Sequence, residues 1–165
     1  MEEGLKKRMG ATGAIRLAVM LGALWAGALL LAAVEYVQLP VFALMPTIMT
    51  AFLAPGLILM LMVGRVALGN DGQDTRAETD RRVMNDTVAQ LVLALCIWPA
   101  AAVILGGDGP GVIASLGVGF FVARLVFWIG AHLSPALRAF GAAASFLPTV
   151  LVALWALWHL AFGFG

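Results

Sequence analysis

Five apolar stretches, at about 14 to 35, 41 to 64, 83 to 105, 112 to 131 and 139 to 163, leave this chain few ways to fold. At a rise of about 1.5 Å per residue, each is long enough to cross a hydrocarbon core of roughly 30 Å as an α-helix. Backbone N–H and C=O groups in lipid must be satisfied within the chain, so the expected architecture is an all-α bundle of membrane-spanning helices. Hydrophobic residues make up 62% of the 165 and charged residues only 12%, which leaves almost nothing for a soluble domain. Pro46 and Pro55 fall in the second stretch, Pro99 in the third, and Pro110 just ahead of the fourth. They predict kinks or opening turns that neighbouring spans can tolerate.

The first stretch follows Lys6, Lys7 and Arg8, so a signal sequence, cleaved or retained, has to be considered. Its apolar part is longer than the roughly 7 to 15 residues of a signal core. Ala18, Gly22 and Ala26 recur at four-residue spacing, a face that lets two helices approach closely. Retention gives five spans and removal four, and the orientation of the remaining loops is the same either way.

Charge placement sets that orientation. Lys6, Lys7, Arg8, Arg16, Arg65, Arg76, Arg81, Arg82 and Arg138 share one side, whereas the loops EYVQLPVFALMP and GGDGPG carry no Lys or Arg. The positive-inside rule then expects a cytoplasmic N-terminus and an external C-terminus, and a bacterial inner membrane is the expected location. Glu35 reads as an interfacial stop. Asp71, Asp74, Glu78 and Asp80 lie in the longest loop, GNDGQDTRAETDRR, and are expected to be solvated, with Thr79 or Asp80 capping the third helix.

The tenth cation, Arg124, lies about two turns inside the fourth stretch. Such a residue must snorkel, pair with an acid, or meet a ligand, because burial at the bilayer centre costs from about 2.5 to over 10 kcal/mol. On the third stretch Arg82, Asn85, Asp86, Ala89 and Gln90 recur at helical spacing, a polar or small stripe descending from the basic end. The topology brings Arg65, Arg82, Asn85, Asp86, Gln90, Arg124 and Arg138 into the same half of the membrane. Arginine forks suit carboxylates and Asn85 suits a peptide-like ligand. A purely structural network in which Asp86 neutralises Arg124 uses the same residues.

Two segments, RRVMNDTVAQ and ARLVFWIGAHLSPALRAFGAAASFLP, resemble the MAPEG superfamily, membrane-associated proteins in eicosanoid and glutathione metabolism, in a divergent bacterial-type form. RRVMNDTVAQ is similar to the family's arginines followed by an asparagine. The longer segment is similar to its third-helix arginine, short turn and Pro-x-x-Arg opening of the last helix, and Arg65, closing GLILMLMVGR, matches the basic end of its first helix. The resemblance divides the chain into residues 1–40, an extra N-terminal transmembrane helix, and residues 41–165, a MAPEG-like four-helix membrane domain. It implies a trimer holding glutathione as co-substrate between subunits. Arg65 and Arg82 would anchor its carboxylates, Asn85 would orient it, and Arg138 or Arg124 would be the catalytic group stabilising its thiolate. Asp86, Gln90 and His132 are further ligand-binding candidates. Two positions depart from the pattern: Val88 stands where the family has a glutamate, and Ala131 stands where it has a tyrosine, with His132 next to it.

The function these features imply is a thiol-dependent transferase or peroxidase acting on lipophilic electrophiles. The alternative is a non-enzymatic subunit of the same fold that assembles a larger membrane protein complex, with the first helix as its contact, and a transporter is third. The partners expected are the bilayer and further copies of the chain, with no nucleic acid. His159 groups with Trp155 and Trp158 as an aromatic belt, opposite His132 across the membrane, so no metal site is expected. Cys96 is expected to be a small buried hydrophobe. No GxSxG, GxGxxG or P-loop occurs.

Overall fold

The computed structural model describes residues 2–37, 39, 40, 43–68 and 75–163. The side chains of Lys6, Lys7 and Arg8, and the loop residues Asp71 and Asp74, lie outside the described residues. Among the described residues, six α-helices account for five segments long and apolar enough to span a membrane: α1 (Glu2–Tyr36), α2 (Leu44–Ala51), α3 (Leu53–Leu68), α4 (Thr75–Ile104), α5 (Gly109–Leu133) and α6 (Pro135–Phe162). The second span is the pair α2 and α3, and a short 3-10 turn, Gly106–Asp108, leads into α5. The chain is thus an all-α, multi-pass integral membrane protein.

Helix limits differ from the apolar limits at the start of α1, which already begins at Glu2, and in two further places, each for a physical reason. α4 begins at Thr75, eight residues before the apolar stretch, because TRAETDRR is polar yet favourable to a helix. Glu78 sits in its first turn and pairs with Arg82 one turn on. The second span breaks at Phe52. Pro55 cannot donate a bond to the carbonyl of Ala51, four residues back, and the helix resumes with the Gly56 amide bonded to Phe52. α5 packs so close to the Ala51 carbonyl that only a glycine, Gly117, fits against it.

α5 is the central helix. It touches every other helix and carries the core residues Ile113, Leu116, Phe120 and Phe127. Trp98 of α4 stacks on Phe52 at 5.4 Å and meets the edge of Phe120 at 5.9 Å, and its indole N–H donates to the Thr149 hydroxyl of α6 at 3.1 Å. That bond removes an otherwise unpaired donor from the apolar core. Leu17, Met20, Leu24 and Leu31 face outward from α1, as a lipid-facing surface requires.

The small-residue face of α1 turns inward. Ala18, Gly22, Ala26 and Ala33 are buried, with Gly22 against Ala143 and Ala144 of α6. The expected close helix approach therefore occurs within one chain, so this face is not free to hold a partner. Gly22 lies beside Ala143, and Gly111 lies beside Val37. α1 thus runs parallel to α6 and antiparallel to α5. Its amino-terminal end, with Arg16, lies at the end of the bundle where α3 closes, α4 opens and α5 meets α6. Arg65, Asp80, His132 and Arg138 collect at this basic end.

Candidate functional site

The site grows from two facing stripes. On α4, Asp80, Val83 and Thr87 recur at three and four residues and are all buried; on α5, Arg124, Trp128 and His132 recur at four. The two helices are antiparallel, so Asp80 meets Trp128 and His132, and Thr87 meets Arg124.

Asp80 holds the basic end together. Its side chain is only 8% exposed. Oδ1 accepts hydrogen bonds from Trp128 Nε1 and His132 Nε2, both at 2.8 Å, and Oδ2 lies 3.6 Å from Arg65 Nε. One carboxylate thus ties α3, α4 and α5, and its partners satisfy a charge that would be costly to bury alone. This corrects the expectation that Asp80 or Thr79 caps the helix. α4 has already begun at Thr75, Asp80 faces inward a turn and a half later, and Thr79 donates to the Thr75 carbonyl at 2.8 Å. His132, expected as a ligand group or a hydrated terminus, is fixed by Asp80. The four-residue spacing of Trp128 and His132 was the signal for this pairing.

Arg124 is fully buried. Its guanidinium lies 4.7 Å from the Phe127 ring centroid and 5.5 Å from that of Phe120, an arrangement in which both π-faces favour a cation. Nη1 reaches the Thr87 hydroxyl at 3.5 Å, while the hydroxyl itself donates to the Val83 carbonyl at 2.8 Å. Nε and Nη2 have no hydrogen-bond partner among the described residues.

The stripe expected to descend toward Arg124 turns elsewhere. Arg82, Asn85 and Asp86 are exposed on the outer flank of α4, because a helix rotates about 100° per residue and Thr87 takes the inward position. Asp86 makes no direct ion pair with Arg124, though its charge still acts on that guanidinium; its Oδ2 lies 3.9 Å from Nη2 of Arg138, with both side chains about half exposed. Arg138 also sits 5.6 Å over the Phe127 ring, so Arg124 and Arg138 share one aromatic neighbour.

Arg138, His132 and Ser134 line a cleft of about 450 Å³ where α5 turns into α6; Gly130, Leu133 and Ala142 complete much of its wall. Gln90 lines an adjoining groove with Val19, Ala143 and Phe146 that shares Ala139 and Ala142 with the cleft, and its amide oxygen is buried without a hydrogen-bond partner among the described residues. The sequence candidates thus fall into four settings: Arg65 and His132 on Asp80, Arg124 and Arg138 about Phe127, Arg82 with Asn85 and Asp86 on an open flank, and Gln90 in the adjoining groove. Chemically, the cleft offers cationic and imidazole groups to an anion or an acidic thiol.

Two other expectations need correction or placement. Cys96 is exposed on the outer face of α4, not buried, because Ala94 and Trp98 take the inward positions around it. His159 lies in the last turn of α6, where Trp158 packs on Phe162 at 4.4 Å, far from the basic end. Among the described residues no group of three His, Cys, Asp or Glu could hold a metal ion.

The MAPEG family model matches residues 43–158, from the start of α2 almost to the end of α6, and leaves α1 outside the match. No curated protein and no solved structure matches the chain.

Proposed function

The chain belongs to the MAPEG family of membrane proteins in eicosanoid and glutathione metabolism, and from that premise we propose that it is a glutathione-dependent transferase or peroxidase acting on lipophilic electrophiles. The observation that carries this reading is Arg138, half exposed in the cleft wall with its nearest carboxylate, Asp86, at a loose 3.9 Å. A guanidinium in that position can stabilise a thiolate as the thiol proton leaves, and each tenfold gain in thiolate corresponds to about 1.4 kcal/mol.

In this reading Arg138 contacts the glutathione sulfur. Arg124, enclosed behind Phe127, adds positive potential without touching the ligand. Arg82 and Asn85 bind the peptide part. Both stand on the exposed flank of α4, where a second copy of the chain would cover them, in keeping with the trimer the family resemblance implies. Arg65 anchors a carboxylate from the far side of Asp80, and the electrophile arrives through the bilayer. Residues 1–40 form an added helix on a domain of residues 41–165. The basic end faces the cytoplasm, in a bacterial inner membrane, as the arginine distribution supports.

The reading in which the chain is a non-enzymatic assembly subunit draws on the same network, since Asp80 already engages Arg65 and His132. The two readings part in one experiment. Purified protein is assayed for glutathione conjugation to a long-chain α,β-unsaturated aldehyde. Conjugation above the uncatalysed rate, lost in Arg138→Ala, is the expected result. No acceleration by a folded wild-type oligomer refutes the enzymatic reading and leaves the assembly reading.

A further inference from the structure

Thiolate stabilisation leaves open where the thiol proton goes. Among the described residues, the cleft holds one group suited to take it. His132 lines the same cleft as Arg138, its side chain one-third exposed, and its Nε2–H is committed to the buried Asp80 at 2.8 Å. That bond fixes the ring and leaves Nδ1 as the nitrogen with a free lone pair, with no hydrogen bond to it among the described residues. A carboxylate behind an imidazole also stabilises the positive ring formed when the second nitrogen takes a proton. Trp128 donates to the same carboxylate oxygen at 2.8 Å, so the orienting group is itself held in place.

Resting on the glutathione reading above, we propose that His132 is a catalytic residue, the general base that removes the thiol proton, with Asp80 as its positioning residue. The S–H bond breaks with its electron pair left on sulfur, and an N–H bond forms at His132 Nδ1. The thiolate, facing Arg138, adds to the β-carbon of an α,β-unsaturated aldehyde, and the π electrons move toward the carbonyl to give an enolate. The enolate takes the proton back from His132 at its α-carbon. The net result is addition of the thiol across the double bond, with no other reactant consumed. This task falls to His132 in a chain whose neighbouring position is Ala131, which has no group that can transfer a proton.

The charged groups around His132 are Asp80 on α4, Arg65 on α3 behind Asp80, and Arg138 on α6 across the cleft with its partner Asp86. Among these groups the imidazole combines a lone pair with an orienting carboxylate.

The test uses the full-length protein in detergent, with glutathione and a long-chain α,β-unsaturated aldehyde as probes. His132→Gln is expected to bind glutathione as the wild type does, to lose the ultraviolet thiolate absorbance of the complex, and to lower kcat by about a hundredfold or more. The acidic limb of its kcat against pH profile should disappear. In His132→Ala, added imidazole should restore part of the turnover, and Asp80→Asn should lower kcat with KM for glutathione retained. Turnover and pH profile unchanged in His132→Gln overturn the proposal and leave the glutathione reading standing. Wild-type protein that binds no glutathione overturns both. If His132→Gln does not fold, the thiolate absorbance of the wild-type complex decides: bound glutathione that stays protonated across the pH range of turnover overturns the proposal.

Discussion

Replacing Asp80 tests how the basic end is held. Asp80→Ala removes the acceptor of the Trp128 and His132 bonds and the charge facing Arg65. Arg65 is 64% exposed, so its loss of a partner contributes little, at most about 1 kcal/mol. The indole N–H is half-buried and the imidazole N–H is partly wet; leaving a buried donor unpaired costs about 1–3 kcal/mol, so the pair together should cost about 2–4 kcal/mol. Asp80→Asn keeps an acceptor oxygen in place and loses only charge assistance, a cost of about 1 kcal/mol. The assay is reversible unfolding in mixed micelles, followed by Trp fluorescence, with Trp128→Phe completing a double-mutant cycle. A coupling of about 1–2 kcal/mol between Asp80 and Trp128 is expected. Asp80→Ala within about 0.5 kcal/mol of wild type, the range of an ordinary surface substitution, would refute the claim that this carboxylate joins three helices.

Arg124→Met fills the same space without two unpaired donors, so it should leave stability unchanged or raise it by about 1–3 kcal/mol, read by the same unfolding assay. A marked loss would show that the Asp86 charge and the two aromatic faces outweigh the unpaired donors. Gly22→Leu drives a side chain into Ala143 and Ala144 and should destabilise by about 1–3 kcal/mol, measured by thermal unfolding with cysteine cross-linking of α1 to α6 as the structural readout. Trp98→Phe strands the Thr149 hydroxyl and should cost about 1–3 kcal/mol; unfolding of Trp98→Phe with Thr149→Val should recover part of it.

The five spans were legible because bilayer thickness imposes a length that composition alone reveals. Pro55 announced the break in the second span through its missing donor. The inward face of α1 was legible from Ala18, Gly22 and Ala26, but not which helix it meets. The start of α4 was hidden because TRAETDRR is helical without being apolar. Side-chain direction was the hardest to read. The polar stripe through Asn85 and Asp86 is real in sequence, yet the neighbouring stripe through Asp80 and Thr87 faces Arg124. One residue of rotation about the helix separates the two, and only packing against α5 chooses between them. Asp80 resembled one acid among several in a loop, and its role emerges only where Trp128 and His132 reach it across the fold.

The enzymatic reading turns on whether the cleft beside Arg138 takes a thiol peptide. Calorimetric titration of glutathione into purified wild-type protein and Arg138→Ala tests this directly. Saturable heat for the wild type, with affinity lowered at least about tenfold in the variant, a difference of about 1.4 kcal/mol, is the predicted result. No heat and no thermal shift for folded wild-type protein at saturating glutathione would contradict it.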